Sequence, residues 1–470
     1  MRVVEAKNTV SNSTVKTPTV AASNRSNSYA SNQLHPKPSN LLVPKQKNRK
    51  LKVSSVPQQN TNHFKPTVPM EYMASSWRPL IITECYDVLP KSAPCIQKHL
   101  TDTNLMESQE LLFPQIQMRI PSFAREEHKS QWLQMAANID RFVIKQDWAV
   151  YYEFHGQNMV FKDAVYGGDP PADVWSNNGC MASGVSHESF LARDDSNWDY
   201  EDVDVLVVAA SPDSWSFQHF LDRVTIIMTQ AQLILNGSSL FSVVSGRHPN
   251  FRFADDYYKA LGAKEHFHSS TTRGIRAKKL VFSCRAPLIH PYSTKLTSEQ
   301  LGLFRNGLVP LSDRKVVYYL SRSTGLERNG GRQVSEEAVF IKRLQALLDE
   351  RGQGERLEVF NPRSFDSLEN MVSTISRNAR AIIGPHGGAH YNGRFAFPET
   401  LIVEFIPKNR FEIMFFEQAR NLHQKYAAIM VDGSSNLQVD FDDLQVILDK
   451  ELGLPITDVP IMQTPYGWNF

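Results

Sequence analysis

No apolar run in the 470-residue chain approaches the roughly 20 residues needed to span a bilayer. Met1-Arg2-Val3-Val4-Glu5 also lacks the continuous apolar core of a signal peptide. Taken as it stands, the sequence reads as soluble and untargeted, or as a truncated gene model that has lost an anchor. Its four cysteines, Cys85, Cys95, Cys180 and Cys284, form no C-x-x-C pair, which argues against a zinc site. They read equally as buried thiols or, in an oxidising compartment, as one of three pairings; a Cys85–Cys95 bridge would close a short loop over Pro90 and Pro94. A Cys-x5-Arg loop, a paired-metal carboxylate cluster and a Walker lysine are all missing, so phosphatase or P-loop chemistry has no support. No metal and no resident cofactor are expected. Acidic residues are nearly absent from the first 70 positions, where eleven Lys/Arg stand against Glu5 alone. The rest of the chain is net acidic by eight charges, and nothing suggests a nucleic-acid groove.

Residues 1–75 are rich in Ser, Asn, Thr, Pro and Lys without periodicity, so they read as a disordered basic tail that cannot bury enough surface to offset chain entropy. Asn12-Ser13-Thr14, Asn24-Arg25-Ser26 and Asn236-Gly237-Ser238 fit the N-glycosylation pattern, a frequent chance match. Beyond the tail, Trp77–Thr83 reads as a strand, Pro114–Pro121 as an irregular connector and Ser130–Phe142 as a short helix. Ala149–Phe154 and Asn158–Phe161 resemble a hairpin around His155-Gly156, followed by a loop over Asp163–Asp199. The carboxylates of Asp194–Asp204 suit a solvated loop better than a metal cage.

A clear α/β pattern starts at the apolar run Val203–Ala210, which Ser211-Pro212-Asp213 connects to a helix from about Ser216 to Leu233. Phe217, Leu221, Val224 and Met228 share one face of it; Gln218 and Asp222, four apart, share another, with His219 adjacent. A carboxylate near a helix start after a strand end suits a ligand crevice or simple dipole complementarity. Further strands follow at Leu240–Val244, Lys279–Cys284, Lys315–Ser321 and Leu357–Phe360, with helices from Ser335 to about Glu350 and over Ser364–Ser376. Alternation of this kind predicts a parallel sheet covered on both faces.

The chain is organised around Ala379–Pro407. A buried strand at Ala381-Ile382-Ile383 breaks into Gly384-Pro385-His386-Gly387-Gly388, whose glycines permit backbone geometries other residues resist. A second strand, Thr400–Ile406, stops at Pro407; helix Phe411–Leu422, strand Tyr426–Val431 and helix Asp440–Leu452 complete the pattern. A Gly-rich turn at a strand end, with a helix after it, suits a diphosphate; it is also the form of any tight β–α connection with one stray histidine. The loop after the Lys315 strand bears Arg322, Arg328 and Arg332, whose forked donors match phosphate oxygens.

With these residues in place, G-P-H-G-G-A-H-Y-N followed by F-A-F-P and V-E-F-I-P resembles the signature of family 61 glycosyltransferases, which include plant β-1,2-xylosyltransferases and EGF-domain O-GlcNAc transferases. Tyr319–Arg322 through Arg332–Glu337 resembles the family's S-R … R-x-I-x-N-E-E element, and Phe217–Asp222 its Y-H-x-x-x-D helix. The resemblance spans about residues 200–450. It implies an α/β protein of GT-B type, two Rossmann-like lobes facing across a cleft, with 76–285 as the acceptor-side lobe and 286–470 as the nucleotide-sugar side. It implies an inverting, metal-independent transfer of a sugar such as xylose or GlcNAc from a UDP-sugar to a glycan or glycoprotein hydroxyl, in the ER or Golgi lumen. Its implied nucleotide-sugar site comprises Ser321, Arg322, Arg332, Gly384, His386, Gly387, Gly388, Asn392 and Glu404, with Glu404 binding ribose or serving a solvated or capping role. Asp222 would be the base, with His219 beside it. Two departures stand out: Gln218 occupies the family histidine's place, and Gly388-Ala389-His390 replaces the usual Ala-Gly-Leu. A degenerate nucleotide- or glycan-binding protein is the alternative.

Overall fold

Five short apolar runs in the C-terminal half become one fully parallel sheet, in the spatial order Arg356–Val359, Val316–Tyr319, Ala379–Pro385, Leu401–Pro407, Lys425–Val431. The computed structural model describes residues 68–69, 80–82, 105–113, 116–152, 154–167, 199–209, 214–235, 240–268, 274–284, 291–323, 331–458 and 461–462, all within the unit Asn62–Phe470. Residues 1–67, the three glycosylation triplets, Cys85, Cys95, Cys180, Asp194 and Arg328 fall outside the described residues.

The parallel sheet is buried on both faces because alternate side chains point opposite ways. Val317, Tyr319, Ala381, Ile383, Val403 and Phe405 meet helices Glu337–Arg351 and Phe441–Glu451 through Phe340, Leu344, Phe441 and Leu444. Val316, Tyr318, Ile382, Ile402 and Ile406 meet helices Leu368–Asn378 and Met414–Asn421 through Met371, Ile375, Phe415 and Ala419. Ser367 and Asp440 cap two of these helices, accepting from Asn370 N and Asp442 N. The predicted start at Ser364 is displaced to Leu368 because Pro362–Ser364 forms a separate 3-10 turn.

A second sheet of seven strands runs Ala263–His268, Phe241–Ser245, Glu201–Val208, Gly274–Cys284, Phe154–Gly167, Leu105–Phe113, Leu80–Ile82. Its first four strands are mutually parallel; the last three join antiparallel. The architecture is thus mixed α/β.

The sequence reading of this half needs several corrections. His155-Gly156 makes no hairpin: both residues lie inside the 14-residue strand Phe154–Gly167, which pairs with Gly274–Cys284 and Leu105–Phe113, while Trp148–Tyr151 joins a different, antiparallel sheet. His-Gly lacks the φ-positive pair that closes a two-residue hairpin, and distant partners set the register. The expected connector Pro114–Pro121 contains strand Ile116–Arg119. The expected solvated acidic loop is, from Glu201, an exposed strand face; Asp202 and Asp204 pair with Arg276 (3.6 Å) and Lys278 (2.7 Å) on the neighbouring strand. Helices Ala254–Ala260 and Pro291–Gln300 and strand Ala263–His268 go beyond the sequence reading, and the first helix is Glu126–Ala136.

Residues 116–151 attach to the C-terminal sheet. Ser122 N donates to Tyr426 O and Ser122 O accepts from Ala428 N. Trp132 packs edge-on to Phe411 and Phe416, and Arg141 and Tyr151 share the buried carboxylate of Glu417. Among the described residues no helix is long and apolar enough to cross a membrane.

Candidate active site

The parallel sheet reverses its winding between its first and third strands in chain order, Val316–Tyr319 and Ala379–Pro385. At such a reversal the connections leave on opposite faces and open a crevice at the carboxyl ends. Leu320-Ser321-Arg322 and His386-Gly387-Gly388 leave the two strands there side by side.

The glycines are required for close approach, not for unusual dihedral angles. None of Gly384, Gly387 and Gly388 has a left-handed φ; Gly387 is extended at φ 164°. A Cβ on Gly384 would lie 2.7 Å from Leu320 Cβ and 2.9 Å from its carbonyl oxygen. A Cβ on Gly387 would strike Arg322 Nη1, and one on Gly388 would lie 3.2 Å from Gln218 Oε1. The turn is therefore a place where two strand ends and a helix from the other sheet touch.

Arg322 and Arg332 converge as expected from the sequence, and Arg410 joins them. Arg322 Nε donates to Gly331 O at 2.9 Å. Arg332 is buried, in a left-handed backbone conformation with φ 63° that costs a non-glycine residue on the order of 1–2 kcal/mol. Burial, then Arg322 and Arg410, push its guanidinium down to about 10, with Glu404 opposing. Its Nε has no hydrogen-bond partner among the described residues. Buried cationic donors facing other cations call for an anion.

His386 and Glu404 meet in the interior. His386 Nδ1 lies 2.5 Å from Glu404 Oε1, and the Tyr426 hydroxyl donates to Oε2. Glu404 is fully buried, which excludes a solvated role. Burial would raise its pKa, but the charge and hydrogen bond of His386, with His390 and Tyr426, hold it below the usual value. His386 N–H bonds Phe405 O, so the turn's backbone donors left for a ligand are those of Gly387 and Gly388. Ser321 Oγ and Tyr319 OH both donate to Glu337, the first residue of its helix, and Asn392 Nδ2 bonds Ala389 O at 2.8 Å within the 3-10 segment Gly388–Phe395.

Asp222 comes from the other sheet. Its helix begins at Phe217, capped by Ser216, and widens into a π turn over Phe220–Val224 before continuing to Ile234. π turns leave a carbonyl without its usual helical donor and recur at functional sites. Here Leu221 O accepts from Thr225 Oγ1 at 2.7 Å and from buried Arg394 at 2.9 Å. Tyr391 OH donates to Asp222 Oδ2 at 3.0 Å, and His219 Nδ1 lies 3.6 Å from the same oxygen. The glycine-turn segment thus grips the helix by Tyr391 and Arg394, joining motifs 169 residues apart. Gln218 lies against Gly388, its Nε2 3.4 Å from Met414 Sδ.

Sequence reasoning missed Arg410, Tyr391, Tyr426 and Glu337. A signal existed for Arg410, a cation three residues beyond the strand end at Pro407, and for Tyr391, inside the glycine motif. Glu337 closes the quoted Arg332–Glu337 element without having been given a role, and Tyr426 offered no signal, since a partner across the fold defines its role.

This geometry, an arginine-rich crevice at a switch point with a carboxylate presented from a second sheet, suits an anionic ligand. The family model for glycosyltransferase 61 matches residues 217–403, from the start of the Asp222 helix to the residue before Glu404. That match supports membership of glycosyltransferase family 61, a family of glycosyltransferases. No curated protein matches the chain.

Proposed function

We propose that the protein transfers a sugar, xylose, GlcNAc or a similar unit, from a UDP-sugar to a hydroxyl of a glycan or glycoprotein, with inversion and without a metal ion. The observation that carries this reading is the cluster of Arg322, Arg332 and Arg410 at the switch point, with Arg332 buried and its Nε unpartnered among the described residues. A diphosphate supplies the charge that the cluster lacks.

In this reading the fold is of GT-B type. Residues 286–470 hold the nucleotide sugar and 76–285 present the acceptor, with 116–151 packed onto the nucleotide side. The acceptor oxygen attacks the anomeric carbon as the bond to the diphosphate breaks. Asp222 takes the hydroxyl proton, oriented by Tyr391 and with His219 adjacent. The arginines, His386 and the Gly387-Gly388 backbone meet the charge appearing on UDP, which lets the transfer proceed without a cation. Ser321 and Asn392 shape the two loops that bound the site, Ser321 through Glu337 and Asn392 through Ala389. The compartment is the ER or Golgi lumen, where such acceptors are made. Gln218 favours a second reading, a degenerate nucleotide- or glycan-binding protein, because it fills the family histidine's place.

The test is calorimetric titration of the purified protein with UDP, GDP and CMP, with and without EDTA, followed by transfer assays with UDP-sugars. Selective, chelator-insensitive UDP binding with turnover supports the transferase. UDP binding with no turnover on any donor favours the degenerate reading, and no nucleotide binding by the folded protein overturns both nucleotide-based readings.

A further inference from the structure

Glu404 is a full negative charge buried in the centre of the parallel sheet, on a strand flanked on both sides. Isolated buried carboxylates are costly and persist only when paired and hydrogen-bonded. Here each oxygen has one donor: Oε1 the ring Nδ1 of His386, Oε2 the hydroxyl of Tyr426. A carboxylate can only accept, so Nδ1 carries a proton and the imidazole is locked in one orientation. His386 Nε2 forms no hydrogen bond among the described residues. The ring leans on Phe415 at 5.4 Å, and the next residue, Gly387, lies against the Arg322 guanidinium. The neighbouring His390 does not compete as a cation: its Nε2 is bound to Gly384 O at 3.1 Å, and burial holds its basicity down.

Resting on the UDP-sugar reading above, we propose that Glu404, anchored by Tyr426, is a positioning residue that acts on the nucleotide only through His386. It fixes the imidazole so that its Nε2–H edge donates to a diphosphate oxygen beside the arginines. The unit Tyr426–Glu404–His386 is then a buried relay of orientation, comparable in logic to the carboxylate that holds a catalytic imidazole in its working tautomer. Glu404 makes no direct ribose contact, since its carboxylate is fully buried. Neither Glu404 nor Tyr426 lies within the residues matched by the family model.

The two contributions must therefore be non-additive. UDP affinity would be measured by calorimetry for the wild type, Glu404→Gln, His386→Gln and the double variant, with thermal midpoints recorded for each without ligand. Each single variant is expected to weaken UDP binding about tenfold, the size of one charge-assisted hydrogen bond. The double variant should be no weaker than His386→Gln alone. Losses that multiply to about a hundredfold would show that Glu404 acts independently of His386 and overturn the inference, as would a Glu404→Gln protein with unchanged affinity. If Glu404→Gln does not fold, Tyr426→Phe replaces it. It should weaken UDP binding about two- to threefold when His386 is intact, on the order of one neutral hydrogen bond, and not at all in the His386→Gln background. An equal loss in both backgrounds overturns the proposal. Wild-type protein that binds no UDP removes the functional reading and this one together; additive losses in a protein that binds UDP remove this one alone.

Discussion

The five-stranded parallel sheet and the seven-stranded mixed sheet contribute to one site in opposite ways. The parallel sheet supplies positive charge: Arg322, Arg332 and Arg410 gather at its carboxyl edge, and the buried carboxylate beside them, Glu404, is hydrogen-bonded by His386 and Tyr426. The seven-stranded sheet supplies a carboxylate, Asp222, which accepts the Tyr391 hydroxyl at 3.0 Å and lies 3.5 Å from Arg223 Nε. A transfer that expels a diphosphate and deprotonates an acceptor needs both positive charge and a base. The Gly388–Phe395 segment keeps them in register, because it springs from the parallel sheet and binds the Asp222 helix through Tyr391 and Arg394.

The sharpest way to break this division is Asp222→Asn. If Asp222 is the base, transfer should fall by about 10²–10⁴ while UDP affinity stays the same, measured by single-turnover assay and calorimetry. A variant that loses UDP binding in step with turnover would erase the distinction between the two sheets.

Acidification tests both regions together. Burial, then His248 and His266, lowers His268 to about 4 at the edge of the mixed sheet; burial, then Lys295, lowers His423 to about 4 beside the parallel one. A histidine with a depressed folded-state pKa contributes stability that is fully present above its unfolded value near 6.5 and is lost as pH falls toward 4. Each should cost at most about 3 kcal/mol over that window. Urea unfolding at pH 7 and pH 4.5 measures it, and His268→Gln or His423→Gln should each flatten part of the slope.

Arg332→Ala should weaken UDP binding about 10- to 100-fold, equivalent to losing a charge-assisted contact. The ligand-free protein should be no less stable, since the substitution relieves burial of the charge and repulsion from Arg322 and Arg410, which outweigh the attraction to Glu404. A lower thermal midpoint with unchanged affinity would mean that Arg332 only braces the loop. The smallest expected effect is Gly384→Ala. The added methyl meets the Leu320 backbone at 2.9 Å and should cost about 1–3 kcal/mol of stability by overpacking, read from denaturant midpoints.

The two sheets also differ in how much could be read in advance. Strands Ala379–Pro385, Leu401–Pro407 and Lys425–Val431 lie within two residues of their expected starts, because strands buried on both faces must be continuous apolar runs. The local pattern of Phe154–Gly167 suggests a turn that the strand does not have, because its polar positions are satisfied by residues far away in the chain, such as Gln109, Gln230 and Ser283 around Asn158. Within the site, the glycine motif and Arg322, Arg332 and Asp222 were legible as residue types in order. The reason for the glycines was not: it is the approach of Leu320, Arg322 and Gln218, none of them local.

The sequence by itself determined the alternation of strands and helices, the place of the glycine turn and the residue types that an anionic substrate demands. These follow from local periodicity and from chemistry that each residue carries wherever it sits. Tertiary structure alone decided that Arg410 completes the arginine cluster, that Tyr391 holds Asp222 and that Glu404 is committed to His386 and Tyr426. Those pairings depend on which strand ends become neighbours, and burial turns a modest polar contact into an obligatory one once water is gone.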